Sequence, residues 1–485
     1  MRLHLLAAVP VLTLALTACV SGGGLHPDAT PIDPASLKSA HSLAGVKLSA
    51  AAWPSADWWH GLGDPQLDAL MREALHDNPG LGMADARARA AQAEAGRADA
   101  ARGPDVSANA SVSGARLPST VLPGGGHFKL AKYGYVSFDW GLDLWGGKRA
   151  AWQAALGTAR VAQVEARAAR VELSGNVARA YAELGYAFRQ RDLSEAELDR
   201  AKTSRELTRQ RVAAGIDNRI ELRQSDVEVD TATQQLAQAT RAIAAVRSSL
   251  AVLLGKGPDR GLDIPRPQSL KPDALAVPTN LPVDLLGHRA DLVAARWRVE
   301  VSRQDIKAAK AEFMPDVSIG ALAGAIALGG GNPLSLPARF YQAGPSISLP
   351  LFDGGRLRAQ LSYQDAQYDI AVARYNQTLV DALNQVADDV SALQSLHQQI
   401  AAQQRAQEAA ADAWDMAQQR YRAGIGNYLE ALSVRRQLLV AEQAMAALQA
   451  RQVDLSVQLI EALGGGFQPQ AGAVAPAPSP TPTRS

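Results

Sequence analysis

Apolar positions along most of this chain recur at helical spacing, and in a few short stretches they alternate with polar ones. From Lys148 to Ala214 there is no proline, and Val161, Val164, Ala168, Val171, Gly175, Val177, Tyr181, Leu184 and Phe188 follow the 3.5-residue period of a coiled-coil seam. A helix of about 67 residues, rising 1.5 Å per residue, would be on the order of 100 Å long. A return helix is predicted from Asn218 to Leu254, and the pattern recurs over Arg356 to Ala423 and Asn427 to Leu463. Ala-rich helices are predicted ahead of each long one, at about Pro65 to Arg102 and Val283 to Phe313. The first starts with Asp64 as N-cap and Pro65 at the first helical position, and each runs to a proline that stops it.

The alternating stretches predict strands. In "YGYVSFDWGLDLW", Val136, Phe138, Trp140, Leu142 and Leu144 share one face, opposite Tyr135, Ser137, Asp139, Gly141 and Asp143. Val106, Ala108, Ala110 and Val112 repeat this against Ser107, Asn109, Ser111 and Ser113, as do Ile347, Leu349 and Leu351 against Ser346, Ser348 and Pro350. A half-buried soluble sheet would show the same alternation. Open sheet edges are not tolerated in lipid, so four strands in a membrane require several chains to share one barrel.

The landmarks occur twice, in the same order. Gly103-Pro104-Asp105-Val106-Ser107 matches Met314-Pro315-Asp316-Val317-Ser318, and Leu142 to Gly147 matches Leu349 to Gly355. "QRVAAGIDNRIEL" from Gln210 matches "QRYRAGIGNYLEA" from Gln419, and Leu253-Leu254-Gly255 matches Ala462-Leu463-Gly464. The chain is therefore two structural copies. Gly215 and Gly424 fall where each long helix must reverse, a position that favours the left-handed conformation of glycine.

Composition narrows the reading. Aromatic residues make up 5% of 485 residues and the formal net charge is +1, which argues against the basic surface expected of a nucleic-acid binder. Charged positions such as Arg167, Arg170, Glu172 and Arg179 read most simply as solvated helix faces. Arg2 and the apolar run Leu5 to Leu16 form a secretory signal too short to span a bilayer. The run ends in Leu16-Thr17-Ala18-Cys19, which resembles a bacterial lipobox with Cys19 as the lipidated residue, and Val20 after it implies the outer membrane. Cys19 is the one cysteine, so no intrachain disulfide can form. The expected division is a signal peptide over 1–18, a lipidated tether over 19–50, a first repeat over 51–256, a connector over 257–282, a second repeat over 283–467 and a disordered tail over 468–485.

No catalytic constellation emerges. The eight histidines are scattered without metal-ligand spacing, and "GGKR" and "GKGPD" lack the spacing that wraps a phosphate. No cofactor, metal or catalytic residue is expected.

Trp58, Trp59 and Asp64-Pro65-Gln66-Leu67, "ALHDNPGL" from Ala74, "GLDLWGGKR" from Gly141, "LGHRADLVAARWRV" from Leu286, "LPLFDGGR" from Leu349 and "EALGGGF" from Glu461 together resemble the TolC-like outer-membrane efflux proteins, and most of all their lipoprotein branch of NodT type. The resemblance spans roughly residues 50 to 467. It implies a mostly α fold with a small β part: long antiparallel coiled-coil helices in two tandem repeats, with four amphipathic strands lent to a trimeric transmembrane β-barrel. It further implies an exit duct for small molecules or drugs, working with a periplasmic adaptor and an inner-membrane pump. The adaptor would dock at the two tips, flanked by Arg211, Ala214, Gly215 and Ile216 and by Arg420, Ala423, Gly424 and Ile425. A resting gate would lie just inside the second tip, with Leu429 at the family's leucine position and Ser433 where an aspartate is common. Glu430, or Glu221 in the first copy, is a further source of charge there. The alternatives are an exit duct for secreted polypeptides and a lipid-anchored periplasmic coiled-coil scaffold. The scaffold leaves the strands between helices without a purpose.

Overall fold

The computed structural model describes residues 23–38, 53–116, 118, 120, 126–268, 270 and 281–468. The signal, Cys19, residues 469–485, the glycines at 124 and 125 and residues 269 and 271–280 of the Pro-rich connector lie outside these residues. In chain order the first copy holds α1 (Pro65–Asp77), α2 (Pro79–Ala100), β1 (Asp105–Arg116), β2 (Phe128–Leu142), α3 (Gly147–Ala213) and α4 (Arg219–Leu253). A short α5 (Pro258–Leu262) follows. The second copy holds α6 (Leu281–His288), α7 (Ala290–Ala311), β3 (Asp316–Leu328), β4 (Arg339–Ser348), α8 (Arg356–Arg422) and α9 (Tyr428–Ala462). The duplication is exact in length where it matters most: α3 and α8 have 67 residues each, and α4 and α9 have 35.

Two helices predicted as continuous are broken. Asn78, which precedes Pro79, adopts an extended ψ of 120°, because the proline ring disfavours the helical region for the residue before it. Its side chain then caps α2 by accepting from the Gly80 amide, and its amide group donates to the Leu253 carbonyl at 2.8 Å. The second break falls at Arg289, with φ −102° and ψ 123°. There the backbone of Gly464 passes so close that a Cβ would stand 1.9 Å from the His288 carbonyl oxygen. The Arg289 guanidinium spans the break, donating to Asp291 and to the Ala462 carbonyl.

The coiled-coil seam is buried as its period predicts: Val177, Tyr181 and Leu184 of α3 are fully covered, against Leu67, Met71, Leu250 and Leu254. The Tyr181 hydroxyl donates to Asp64, which also caps α1, so one carboxylate holds the helix start against the long helix. A second core joins Leu292, Val372, Leu379, Val386 and Leu459 across α7, α8 and α9. The expectation of simply solvated charges on α3 fails for two of them. Arg170 pairs with Asp85 of α2 at 3.0 Å, and Arg179 pairs with Glu461 of α9, whose carboxylate lies over the bare backbone of Gly175.

The N-terminal stretch read as a loose tether is docked over part of its length. Asp369 accepts from the amides of Asp28 and Ala29, and Asn376 both accepts from Ile32 and donates to Thr30. Side chains of α8 thus satisfy backbone groups that a free chain would give to water.

The four strands form one antiparallel meander in the order β1-β2-β3-β4, and β2 pairs with β3 across the two copies. The register places Val106, Phe138, Ala321 and Ala343 in one row on one face, and Ser107, Ser137, Leu322 and Gln342 in the next row on the other. β1 and β4 are edge strands of this sheet. Among the described residues no helix is long and apolar enough to cross a membrane.

Candidate functional site

Each long hairpin reverses in the same way. At the first tip Gly215 takes φ +74°, and the amides of Ile216 and Asp217 both donate back to the Arg211 carbonyl. At the second, Gly424 takes φ +78°, and the amides of Ile425 and Gly426 donate to the Arg420 carbonyl. The left-handed residue lets amides beyond the helix reach carbonyls of its last turn, which otherwise have no partner. Each return helix starts on an asparagine: Asn218 accepts from Ile220 and Glu221, and Asn427 accepts from Glu430.

Beyond the turn the two tips diverge. Arg211 is folded inward, with a two-pronged bond to Asp217 at 2.8 and 3.0 Å and its guanidinium 4.7 Å from the Tyr421 ring centre of the other hairpin. Arg420, its counterpart in the second copy, is exposed. Ala214, Gly215, Ala423 and Gly424 are exposed as well, and Ile216 and Ile425 stand out at 64% and 72% exposure. Of the residues assigned to the second tip's interior, Leu429, Glu430 and Ser433 lie exposed on α9, with Leu429 at 54%. Glu221 closes the capping box of α4 by accepting from the Asn218 amide.

A chain of polar contacts, not anticipated from the sequence, fastens the first hairpin to the second. The Tyr421 hydroxyl lies 3.2 Å from Asp217 and 3.3 Å from Thr208, and its ring packs against Tyr428 at 5.9 Å. The Tyr428 hydroxyl donates to Glu228 at 3.0 Å, Glu228 pairs with Arg200, and Arg200 pairs with Glu197. Glu197 also accepts from Arg435 of α9 at 2.9 Å, and the Arg435 guanidinium lies 5.9 Å from the Trp414 ring. Burial and then the Glu228 carboxylate push the Tyr428 phenol up, so it remains a hydrogen-bond donor. The signal available in the sequence was the asymmetry of the repeat: Tyr421 and Tyr428 stand where the first copy has Val212 and Arg219. Beside this chain a cleft of about 630 Å³ opens between the hairpins, lined by Leu207, Trp414, Tyr421, Tyr428 and Leu432.

At the opposite end, the sheet carries aromatic and aliphatic residues on its outer face. Trp140 and Val136 are exposed on β2, Val106 and Val112 on β1, and Tyr341 and Ile347 on β4. Trp145, Leu351 and Phe352 follow just below the strands, also exposed. An apolar band bordered by aromatic rings is the pattern of a lipid-facing barrel surface.

The description "outer membrane efflux protein" matches this chain over residues 70–256 and 281–465. The chain is 31% identical to the multidrug resistance outer membrane protein MdtP of Shigella flexneri, over 94% of this chain and 96% of that protein. It is 32% identical to the probable efflux pump outer membrane protein TtgC of Pseudomonas putida, over 95% and 96% of the two. Among solved structures, the outer membrane protein VceC of Vibrio cholerae superposes with a TM-score of 0.79 at 36% identity, covering 86% of this chain and 100% of that one.

Proposed function

The chain belongs to the outer membrane efflux protein family, and on that premise we propose that its two hairpin tips are the docking surface for the adaptor. The protein is an outer-membrane channel, the exit duct of a tripartite efflux system. It works as a homotrimer with a periplasmic adaptor and an inner-membrane pump, and its helices form the periplasmic tunnel. Three chains close the sheet edges that one chain leaves open.

The observation that supports tip docking is the twofold repeat of an exposed isoleucine beside a left-handed glycine, Gly215-Ile216 and Gly424-Ile425. An apolar knob beside a residue without a side chain suits a helical partner that must approach closely. Ala214, Ala423 and the exposed Arg420 border this contact, whereas Arg211 braces it from within. Cysteines placed at Ile216 and Ile425 should crosslink to the co-expressed adaptor; trimers that assemble but give no adduct at either tip would overturn this assignment.

Leu429, with Glu430 and Ser433 on the same exposed stretch of α9, forms the resting constriction. Leu429→Ala should raise the resting conductance of trimers in planar bilayers, and an unchanged conductance would remove Leu429 from the gate. Cys19 carries the lipid that anchors the chain to the outer membrane; Cys19→Ser should abolish incorporation of labelled palmitate. The cargo is small organic molecules, in keeping with the multidrug resistance in the name of the Shigella flexneri relative. The protein passes it without a chemical step of its own, and the pump supplies the energy.

A further inference from the structure

The inner face of the sheet changes character along its length. Near the helices it is polar: Asp105, Ser107, Ser137, Asp139, Asp316, Ser318, Ser346 and Ser348 lie there by register. Toward the far ends of the strands the same face carries Tyr133, Tyr135, Ile326 and Phe340 on β2, β3 and β4. Tyr133 and Tyr135 stack with ring centres 6.3 Å apart and planes 8° from parallel. Tyr135 and Phe340 occupy one row with Gly324 between them. A Cβ on Gly324 would stand 2.7 Å from the Tyr135 Cβ, so glycine is what lets the ring base sit over the middle strand. Covering a strand glycine with a neighbouring aromatic ring restores the packing that the missing side chain leaves out.

Three chains of four strands make a twelve-stranded barrel. Barrel diameter grows with strand number: about eight strands leave an interior that side chains fill, and about sixteen leave an aqueous channel. At twelve, the size of the inward side chains decides whether the lumen is open. We propose that Tyr133, Tyr135 and Phe340 of the three chains form an aromatic constriction in the outer half of the barrel, which passes uncharged aromatic solutes more readily than hydrated ions. A ring of apolar surface in a narrow pore sheds its water, and an ion that cannot shed its own is held back. The aromatic faces meanwhile offer stacking surface to a flat apolar solute. This inference rests on the barrel reading and concerns a different part of the duct from the tips.

The test uses thiol reagents added to trimers reconstituted with the mouth facing outward, with Cys19 blocked by its lipid. Ser113→Cys lies above the rings and Ser346→Cys below them on the same face. A cationic methanethiosulfonate should modify Ser113→Cys at least about tenfold faster than Ser346→Cys, while N-phenylmaleimide should show a gap of no more than about threefold. Adding Tyr135→Ser and Phe340→Ser should bring the cationic reagent's gap down to that of the maleimide. If the double variant yields no heat-resistant trimer, Phe340→Ser alone should still narrow the gap. Equal cationic rates at the two cysteines, or a gap that survives loss of the rings, would overturn the constriction. Val112→Cys, on the opposite face, should stay inert to the cationic reagent. If it reacts and Ser113→Cys does not, the assignment of faces is wrong and the proposal goes with it.

Discussion

The two hairpin tips share one turn and differ in almost everything packed behind it. In the first, Arg211 and Asp217 close on each other and the return helix carries a full capping box. In the second, Gly426 replaces the aspartate, the cap is a single bond, and two tyrosines fill the space between the hairpins. Duplication therefore preserved the backbone device that reverses the helix. Divergence placed charge on one copy and aromatic surface on the other, so that each completes the other. A perfectly repeated tip would set a valine in the place of Tyr421 and leave Arg211 without the ring it packs on.

The largest break in this comparison should come from Arg435→Ala, which removes one of two cations on the buried Glu197 carboxylate and the partner of Trp414. The cost should be about 3 kcal/mol, as for a buried ion pair stripped of one partner, read as a lower urea midpoint of the helical signal. Asp217→Asn should follow at about 2 kcal/mol, since Arg211 keeps its place on the tyrosine but loses a two-pronged charged bond. Hydrogen exchange should then rise around residues 208–222, and a change confined to the second tip would contradict the pairing. Gly215→Ala and Gly424→Ala should each cost about 1–2 kcal/mol, the penalty of a Cβ in the left-handed region. Equal values would sharpen the view that the turn itself is the shared device. Smallest, at about 1 kcal/mol, should be Asn218→Ala, with Asn427→Ala a few tenths less because only the first asparagine belongs to a reciprocal cap. Exchange rates of the first-turn amides in α4 and α9 distinguish the two.

Long helices were legible to within a residue at most of their ends. Val164, Val177, Tyr181 and Leu184 keep one period over several turns, and glycine or asparagine marks each reversal. The break at Asn78 was legible too, through Pro79, but the helical spacing of Leu67, Leu70 and Met71 before it and the alanines after it masked it. Nothing local marks the break at Arg289, where Gly464 presses on the helix from 175 positions away along the chain. The tip glycines were read correctly as turns, whereas Arg211, expected only to flank the adaptor contact, folds inward onto Asp217 and Tyr421. Its partner ring, Tyr421, lies on the other hairpin, and no spacing rule reaches that far.

What the sequence determined by itself was the long helices, their duplication and the two faces of β1 and β2. These follow from periods of 3.5 and 2, which are properties of the backbone over a few residues. Of the fourth alternating stretch only Ser346 to Ser348 lie in β4, which ends before Leu349. The tertiary structure decided which copy of a repeated residue turns inward. Arg211 packs on Tyr421 while Arg420 meets solvent, because only the approach of α8 and α9 to α3 brings an aromatic ring within reach of one and not the other. It also gathered Tyr135, Gly324 and Phe340 into one row, since strand register joins residues that lie nearly 200 positions apart.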